Sequence, residues 1–411
     1  MRFLKIYFLL AVIFISCGNS RDILIWTDRP EFALYGEYFN AVQSQYRVSV
    51  RYIKLPGAEL AITNQSNTPD IIVTSWLKNA STEANFRPLN NLFGNNRLSR
   101  EIFYPSLLDI GMIERNQLLL PVSFNIPALI FSREREHSLS NQFTIGFDEI
   151  KNLGGAYNVY NRGSYTRIGF SPLWNDNFLF MTAVLSGTSF REANPLAWDS
   201  AALEHSMVFI NDWTNEINTN TQADEDFTYR YFFEPPERLI QSGRILFSYI
   251  ESSDLFTLSE ENKNQLDFRW VMEQDRIPVM EDSVYLGIPK RARSHRGAGV
   301  FIQWFFSADT QRLLLEYSRI NRINENSFGI CGGFSALTSV TEQIYPLFYP
   351  ELLGRMPPSD NFSLPNILPG RWAEIKERVV LPYLHDRARA ESAEDISTLE
   401  RRLLDWMRLN Q

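Results

Sequence analysis

Cysteine and histidine are almost missing from this chain. Its 411 residues include two cysteines, Cys17 and Cys331, and four histidines. Two cysteines exclude a Cys-rich zinc module and a disulfide-stapled scaffold. His137, His205, His295 and His385 are scattered with no i,i+4 pair, so no helical histidine metal site is written into the sequence. Basic charge is in deficit: 40 Lys and Arg stand against 48 Asp and Glu, a net charge of −8. A nucleic-acid binder normally needs a basic face to neutralise phosphates, so this balance argues against one. There is no G-x-x-x-x-G-K-S/T loop, no G-x-S-x-G, no H-E-x-x-H and no C-x-x-C. Asp224-Glu-Asp226 lacks the alternating ligands and glycine of a calcium loop and reads as a solvated turn. No internal repeat or low-complexity tract is found. Beyond the N-terminus no apolar run approaches the ~20 residues of a membrane-spanning helix.

What is present begins with a leader. Arg2 and Lys5 precede the apolar run Ile6 to Ile15, the charged and hydrophobic regions of an export signal. Ser16 is small, as a cleavage site requires, and Cys17-Gly-Asn-Ser follows. This resembles a bacterial lipoprotein signal of the looser spirochaete type, with Phe14 where Leu is usual. The resemblance implies removal of residues 1–16, lipid (palmitate included) on Cys17, and 17–21 as a linker to the membrane. An ordinary secretory signal with an incidental Cys17 leads to the same side of the membrane. Lipidated Cys17 leaves Cys331 as a lone thiol, read as buried and inert. Apolar residues at 44% and charged residues at 21% describe a globular chain of two or three domains.

The chain then alternates strand and helix signals. Ile23–Thr27 is an apolar β-branched strand ending at Asp28-Arg-Pro. Residues 32–46 carry a helical apolar stripe, Val48–Ile53 alternates as a strand, and Pro69–Trp76 is a buried strand. Such alternation predicts a parallel α/β sheet, with ligands outside the carboxyl ends of its strands. Leu118–Phe131 is long for one strand and contains Pro121 and Pro127. It reads as two strands with a crossing near Phe124–Ile126. A strand is expected within Thr166–Phe170, another within Gly243–Glu251 and another within Val284–Pro289. Residues 215–227 read as a polar surface loop. Residues 297–319 read as helical with a break at Ser307-Ala-Asp309. Two helices close the chain, one near Arg371–Trp372. The other carries Ser392 and Asp395 in capping-box spacing and an apolar face of Ile396, Leu399, Leu403 and Trp406.

The leader, Ile23–Asp28, Pro69–Trp76, Leu120–Phe131, Ser242-Gly-Arg-Ile-Leu-Phe247, Gly287-Ile-Pro-Lys-Arg-Ala292 with Ser307–Gln311, Gly332–Ala336 and Pro365–Trp372 form an ordered set. Together they resemble the extracellular solute-binding proteins of ABC importers, family 1, the maltose-binding-like group, over nearly the whole mature chain. The resemblance implies an α/β two-lobed periplasmic-binding-protein clamshell with a helical C-terminus. The N-lobe would be 22–124 and 286–334, the C-lobe 126–283 and 335–411, with hinges near 125, 283–285 and 331–334. It implies a monomer without cofactor or enzymatic activity, which closes on a mono- or oligosaccharide and delivers it to the permease subunits of the importer. It would stand at the periplasmic or extracytoplasmic face.

A sugar site needs aromatic platforms and planar hydrogen-bonding side chains. Trp26 and Trp76 end two strands where a cleft is expected, or pack beneath loops. Asp28 either meets ligand hydroxyls or caps a helix. Asn125 stands at the first crossing, where the family often has an acidic or polar residue. Trp174 and Asn175 lie in a loop rich in amides. Glu251 and Ser252 end a strand or form a solvated turn. Phe334 sits in a glycine-rich loop. Trp372 resembles the family's ligand-stacking tryptophan, or is interhelical core. The remaining tryptophans, Trp198, Trp213, Trp270, Trp304 and Trp406, read as core or surface. Other readings are a binder of a polyamine or peptide, an exported carbohydrate-active enzyme with two carboxylates in one cleft, and a surface adhesin. An iron binder is disfavoured by the absence of a Tyr-Tyr pair.

Overall fold

The computed structural model describes residues 21–63, 68–94, 97–194, 196–390 and 393–410. The expected leader and Cys17 lie outside these residues. No described helix is long and apolar enough to cross a membrane.

Two sheets organise two lobes. Their strands, numbered in chain order, are β1 Arg21–Thr27, β2 Tyr46–Tyr52, β3 Ile71–Ser75, β4 Leu119–Phe124, β5 Pro127–Ser132, β6 Thr144–Ile145, β7 Phe247–Glu251, β8 Leu266–Val271, β9 Val284–Gly287 and β10 Phe334–Ser335. The first sheet runs β10-β4-β9-β3-β1-β2 and the second β7-β5-β8-β6. β1 pairs in parallel with β2 and β3, with Ile25 opposite both Val50 and Ile71. The sheet is not parallel throughout, as the alternation suggested. β9 lies antiparallel to β3 and β4, and β10 antiparallel to β4. β9 re-enters the sheet after the long excursion through the second lobe, so no local crossover helix sets its direction, and the helices His295–Phe305 and Ala308–Ile320 then carry the chain to β10, parallel to β9.

Both faces of β1 are covered, which explains its unbroken apolar run. Ile23 and Ile25 join a core with Phe32, Tyr35 and Phe39 of the helix Glu31–Val42. Trp26 joins Ile72, Leu119 and Tyr285 in a smaller cluster. Pro121 sits inside β4, where a register shift opposite Val284 and Tyr285 absorbs its missing N–H. Pro127 opens β5, where no earlier ladder bond is lost.

The second lobe is mostly helical around its sheet. Helices Phe147–Tyr157, Asp176–Leu185, Ser200–Asp212 and Leu381–Arg389 enclose Phe178, Phe180, Trp213 and Trp372. The break before Ala308 is present between helices His295–Phe305 and Ala308–Ile320. Residues 215–227 differ from the expected loop. A π-helical turn over Trp213–Ile217 leads to the helix Thr221–Arg230, whose first turn is capped by the Asn220 side chain. Its polarity belongs to a helix with one buried face, Ala223, Asp224 and Phe227. The last helix is Leu399–Leu409 and is capped by Thr398 instead of the Ser392 box. Ser392 itself lies outside the described residues.

The chain passes between sheets at Asn125. The Asn125 carboxamide donates to Gly332 O at 3.0 Å, and Ser252 Oγ donates to its Oδ1 at 2.7 Å. Met280 N donates to its carbonyl at 2.9 Å. One residue thus ties three other segments together at the junction. Gly333 is required here, because a Cβ would stand 2.7 Å from Phe124 O. Beyond β10, Tyr104 N donates to Ala336 O and Tyr104 Oη to Glu342.

Candidate functional site

Polar groups gather in two places, a seam at the lobe junction and a groove in the second lobe. The first is a tight seam. Asp28 and Arg29 follow β1, Ser75 and Trp76 close β3, and Glu251 closes β7. Thr74 Oγ1 donates to Asp28 Oδ2 at 2.7 Å, and Arg29 Nη2 donates to Ser75 Oγ at 2.6 Å. Ser75 Oγ in turn donates to the Asp282 carbonyl, and Lys376 Nζ pairs with Glu281. Asn177 Nδ2 donates to Glu251 Oε1 at 3.0 Å. Burial, reinforced by Asp282 and Glu281, pushes the Glu251 carboxyl up to about 8. Burial also raises Asp282, against the pull of Arg29. Arg29 Nε and Asp28 Oδ1 form an ion pair at 3.3 Å, while Trp76 Nε1 and Asp282 Oδ1 are buried without a hydrogen-bond partner among the described residues. Trp76 is held at φ +56°, a costly backbone for a bulky residue, and packs against the second-lobe core. The cavity beneath it, about 40 Å³, has room for water and none for a sugar.

The second place is a groove of about 820 Å³ in the second lobe. Trp174, Asn175, Asn177, Asp224, Phe232 and Arg389 line it. An adjoining cavity of about 310 Å³ shares Trp174, Asn175, Thr228 and Phe232. The groove forms where Ser171-Pro-Leu-Trp turns into the helix Asp176–Leu185. Asn175 Oδ1 accepts from Asn177 N and Phe178 N and caps that helix. The Asn175 side-chain nitrogen makes no hydrogen bond among the described residues. Trp174 Nε1 donates to Asp224 Oδ1 at 2.8 Å, and its ring stacks 6.0 Å from Phe227. Ser171 Oγ donates to the same carboxylate. Burial lifts Asp224 to about 6, against those two donors. Arg389 pairs with Glu225 at 3.0 Å on the rim. Burial and Arg389 lower His385. Tyr229 and Phe232 leave 86% and 70% of their surface exposed beside these polar groups. The arrangement offers aromatic faces and fixed donors and acceptors, the chemistry that holds a polyol.

The expected residues divide accordingly. Trp174 and Asn175 line the groove, and Glu251 reaches it through Asn177. Asp28 and Trp76 lie in the seam. Four others are structural here. Trp26, Phe334 and Trp372 are at most 1% exposed and cannot offer a face to a ligand in this structure. Trp26 fills the small cluster under β1, Phe334 meets Phe124 and Phe328, and Trp372 meets Phe180 and Phe190. Ser252 is fully buried and holds Asn125. Asn125 is itself 9% exposed and uses both ends of its amide on protein. Sequence reasoning missed Asn177, Asp224, Tyr229, Phe232 and Arg389. The capping residue Asn220 was the available signal that 221–230 is a helix able to present Asp224. Among the described residues no three His, Cys, Asp or Glu side chains are placed to hold a metal ion.

Comparison with known proteins settles the architecture. No family model and no curated protein matches the sequence. Solved structures do match the fold. CpMnBP1 with mannotriose bound superposes with a TM-score of 0.62 at 12% identity, covering 94% of this chain and 98% of that one. The ABC substrate-binding protein Lmo0181 from Listeria monocytogenes, in complex with cycloalternan, gives 0.62 at 12%, covering 94% and 97%. The cyclic alpha-maltosyl-1,6-maltose binding protein from Arthrobacter globiformis gives 0.61 at 15%, covering 90% and 94%. The fold is a two-lobed periplasmic-binding-protein clamshell. At these identities the likeness concerns the fold, and the site is argued from its own residues.

Proposed function

We propose that this chain is the solute-binding component of an ABC importer and captures a carbohydrate in the second-lobe groove, which Asn177 links to the seam, without chemistry on it. The observation that carries the reading is the groove at Trp174, where exposed aromatic faces stand beside Asn175, Asn177 and Arg389. The sugar ligands named for the three fold neighbours support it. On this reading 22–124 with 286–334 and 126–283 with the tail move as lobes, and the seam opens to admit ligand. A ligand that bridges both lobes favours the closed state by its extra contacts there. Export, lipid anchoring through Cys17 and delivery to permease subunits complete the proposal. A second reading has one observation in its favour: Asp224, Glu225 and Asp226 border the groove and suit a cationic solute such as a polyamine.

The test is a thermal-shift screen of mono- and oligosaccharides, polyamines and peptides on the protein without its leader. Ligands that bind only the native state must raise its melting temperature. A sugar-specific rise is expected. A clear response to a polyamine with none to any sugar overturns the carbohydrate assignment.

A further inference from the structure

The second lobe has another cavity, lined by none of the groove residues. It measures about 280 Å³, near the lower end of small-molecule sites (roughly 300–1,000 Å³). Ile130 of β5, Phe268 of β8, and Leu255 and Phe256 after β7 give it an apolar floor. Its charged lining is uneven in what it has left to bind. Asp267 and Arg355 bond each other at 2.6 Å, and Asp267 also holds Arg269. Three groups remain. Arg133 Nη2 donates to Lys263 O and Leu266 O at 3.0 and 3.1 Å, which fixes the guanidinium. The Lys263 side chain is 15% exposed, and among the described residues its Nζ meets only the outward-facing Glu260, at 3.3 Å. Glu351 has Oε2 buried with no hydrogen-bond partner. A buried carboxylate oxygen without a donor is costly, and a bound donor recovers that cost.

We infer that this cavity is a second site, and that it takes a small zwitterionic amino acid with an apolar side chain. The side chain lies on the Ile130–Phe256–Phe268 floor, the ammonium meets Glu351, and the carboxylate faces Lys263 and Arg133. A purely apolar molecule leaves Glu351 unpaired, and a simple anion or amine satisfies one half of the charges. The site shares no lining residue with the groove or its neighbouring cavity. Occupancy is therefore not competitive with a groove ligand, and the inference stands whether or not the groove binds sugar.

The test is isothermal titration of the purified protein with L-leucine and L-phenylalanine, with isoamylamine and 4-methylpentanoate as half-ligands. Saturable binding at millimolar affinity or tighter is expected for at least one amino acid, with each half-ligand about tenfold weaker or more. Glu351→Gln, nearly the same shape, should weaken that amino acid by about tenfold, and Leu258→Trp, at another residue lining the cavity, should abolish binding by filling it. Neither change should alter the response to a groove ligand. No saturable binding by either amino acid, equal binding by Glu351→Gln, or displacement by a sugar overturns the site. A protein that binds leucine but no sugar keeps this site and loses the carbohydrate reading.

Discussion

The crossing at Asn125 and the groove at Trp174 use the same kinds of side chain to opposite ends. At the crossing an amide is closed on itself: Gly332 O and Ser252 Oγ take both ends of the Asn125 carboxamide, and aromatic Phe124 and Phe334 pack beside it out of water. At the groove Asn175 commits only its oxygen, to a helix N-terminus, and Trp174 is fixed by one nitrogen and by ring contacts with Phe170 and Phe227 while still lining two cavities. Saturated polar groups specify a fold, and polar groups with unused capacity specify a ligand. A residue's type and its position at a lobe junction do not tell the two apart; its partners do.

Removing Trp174 should have the largest effect. Trp174→Ala deletes a wall common to both cavities and the donor to Asp224. Carbohydrate affinity should fall by about thirtyfold or more, ~2 kcal/mol, as for a central aromatic anchor. Calorimetric titration measures it, and an unchanged affinity would remove the groove from the binding reading. Asn125→Ala should reverse the pattern. It leaves Gly332 O and Ser252 Oγ without their partner in a buried junction, so urea unfolding should show a loss of about 2–3 kcal/mol. If affinity instead falls further than stability, the crossing is itself a contact site.

The seam allows a pH version of the same contrast. Glu251 titrates near 8 in the folded protein against an ordinary 4.5, because burial and the neighbouring acids disfavour its charge. The folded state therefore holds this proton more tightly than the unfolded chain. The resulting stability is complete below the ordinary value and is lost as pH rises through about 8. Asp224, raised to about 6, adds in the same direction over a narrower range. Denaturation at several pH values should show the wild type losing on the order of 1–3 kcal/mol between the two ends of the Glu251 window. Glu251→Gln should flatten that slope. A variant whose slope equals the wild type's would mean that Glu251 is not held neutral at the seam.

Much of the fold was legible because it rests on local patterns. The apolar run of β1, the stripe of Glu31–Val42, the two-strand reading of Leu118–Phe131 and the break before Ala308 are each visible within a short window. The antiparallel return of β9 and β10 was not, since strand direction depends on where a distant segment re-enters the sheet. Of the site, Trp174 and Asn175 were legible as an aromatic among amides after a strand. Asp224 was not: fifty residues separate it from Trp174, and only the folded helix Thr221–Arg230 brings its carboxylate under the indole. The burial of Trp26, Phe334 and Trp372 was not legible for a complementary reason. Large aromatics at strand and helix ends are also what a core needs, and burial cannot be counted from sequence.

Phe232 offers the smallest effect and the cleanest separation of the two roles. It is 70% exposed and its ring contact among the described residues is with Phe233, itself 94% exposed, so it contributes little to the core. It nevertheless borders both cavities that share Trp174. Phe232→Ala should leave unfolding within about 0.5 kcal/mol of wild type, as for other exposed positions. Carbohydrate affinity should drop by about threefold to tenfold, ~0.7–1.4 kcal/mol, through loss of one apolar face. Because stability is held constant, the titration alone decides. Unchanged affinity for every sugar that shifts the melting temperature would confine the ligand to the Trp174 side and leave the exposed aromatic turn outside the site.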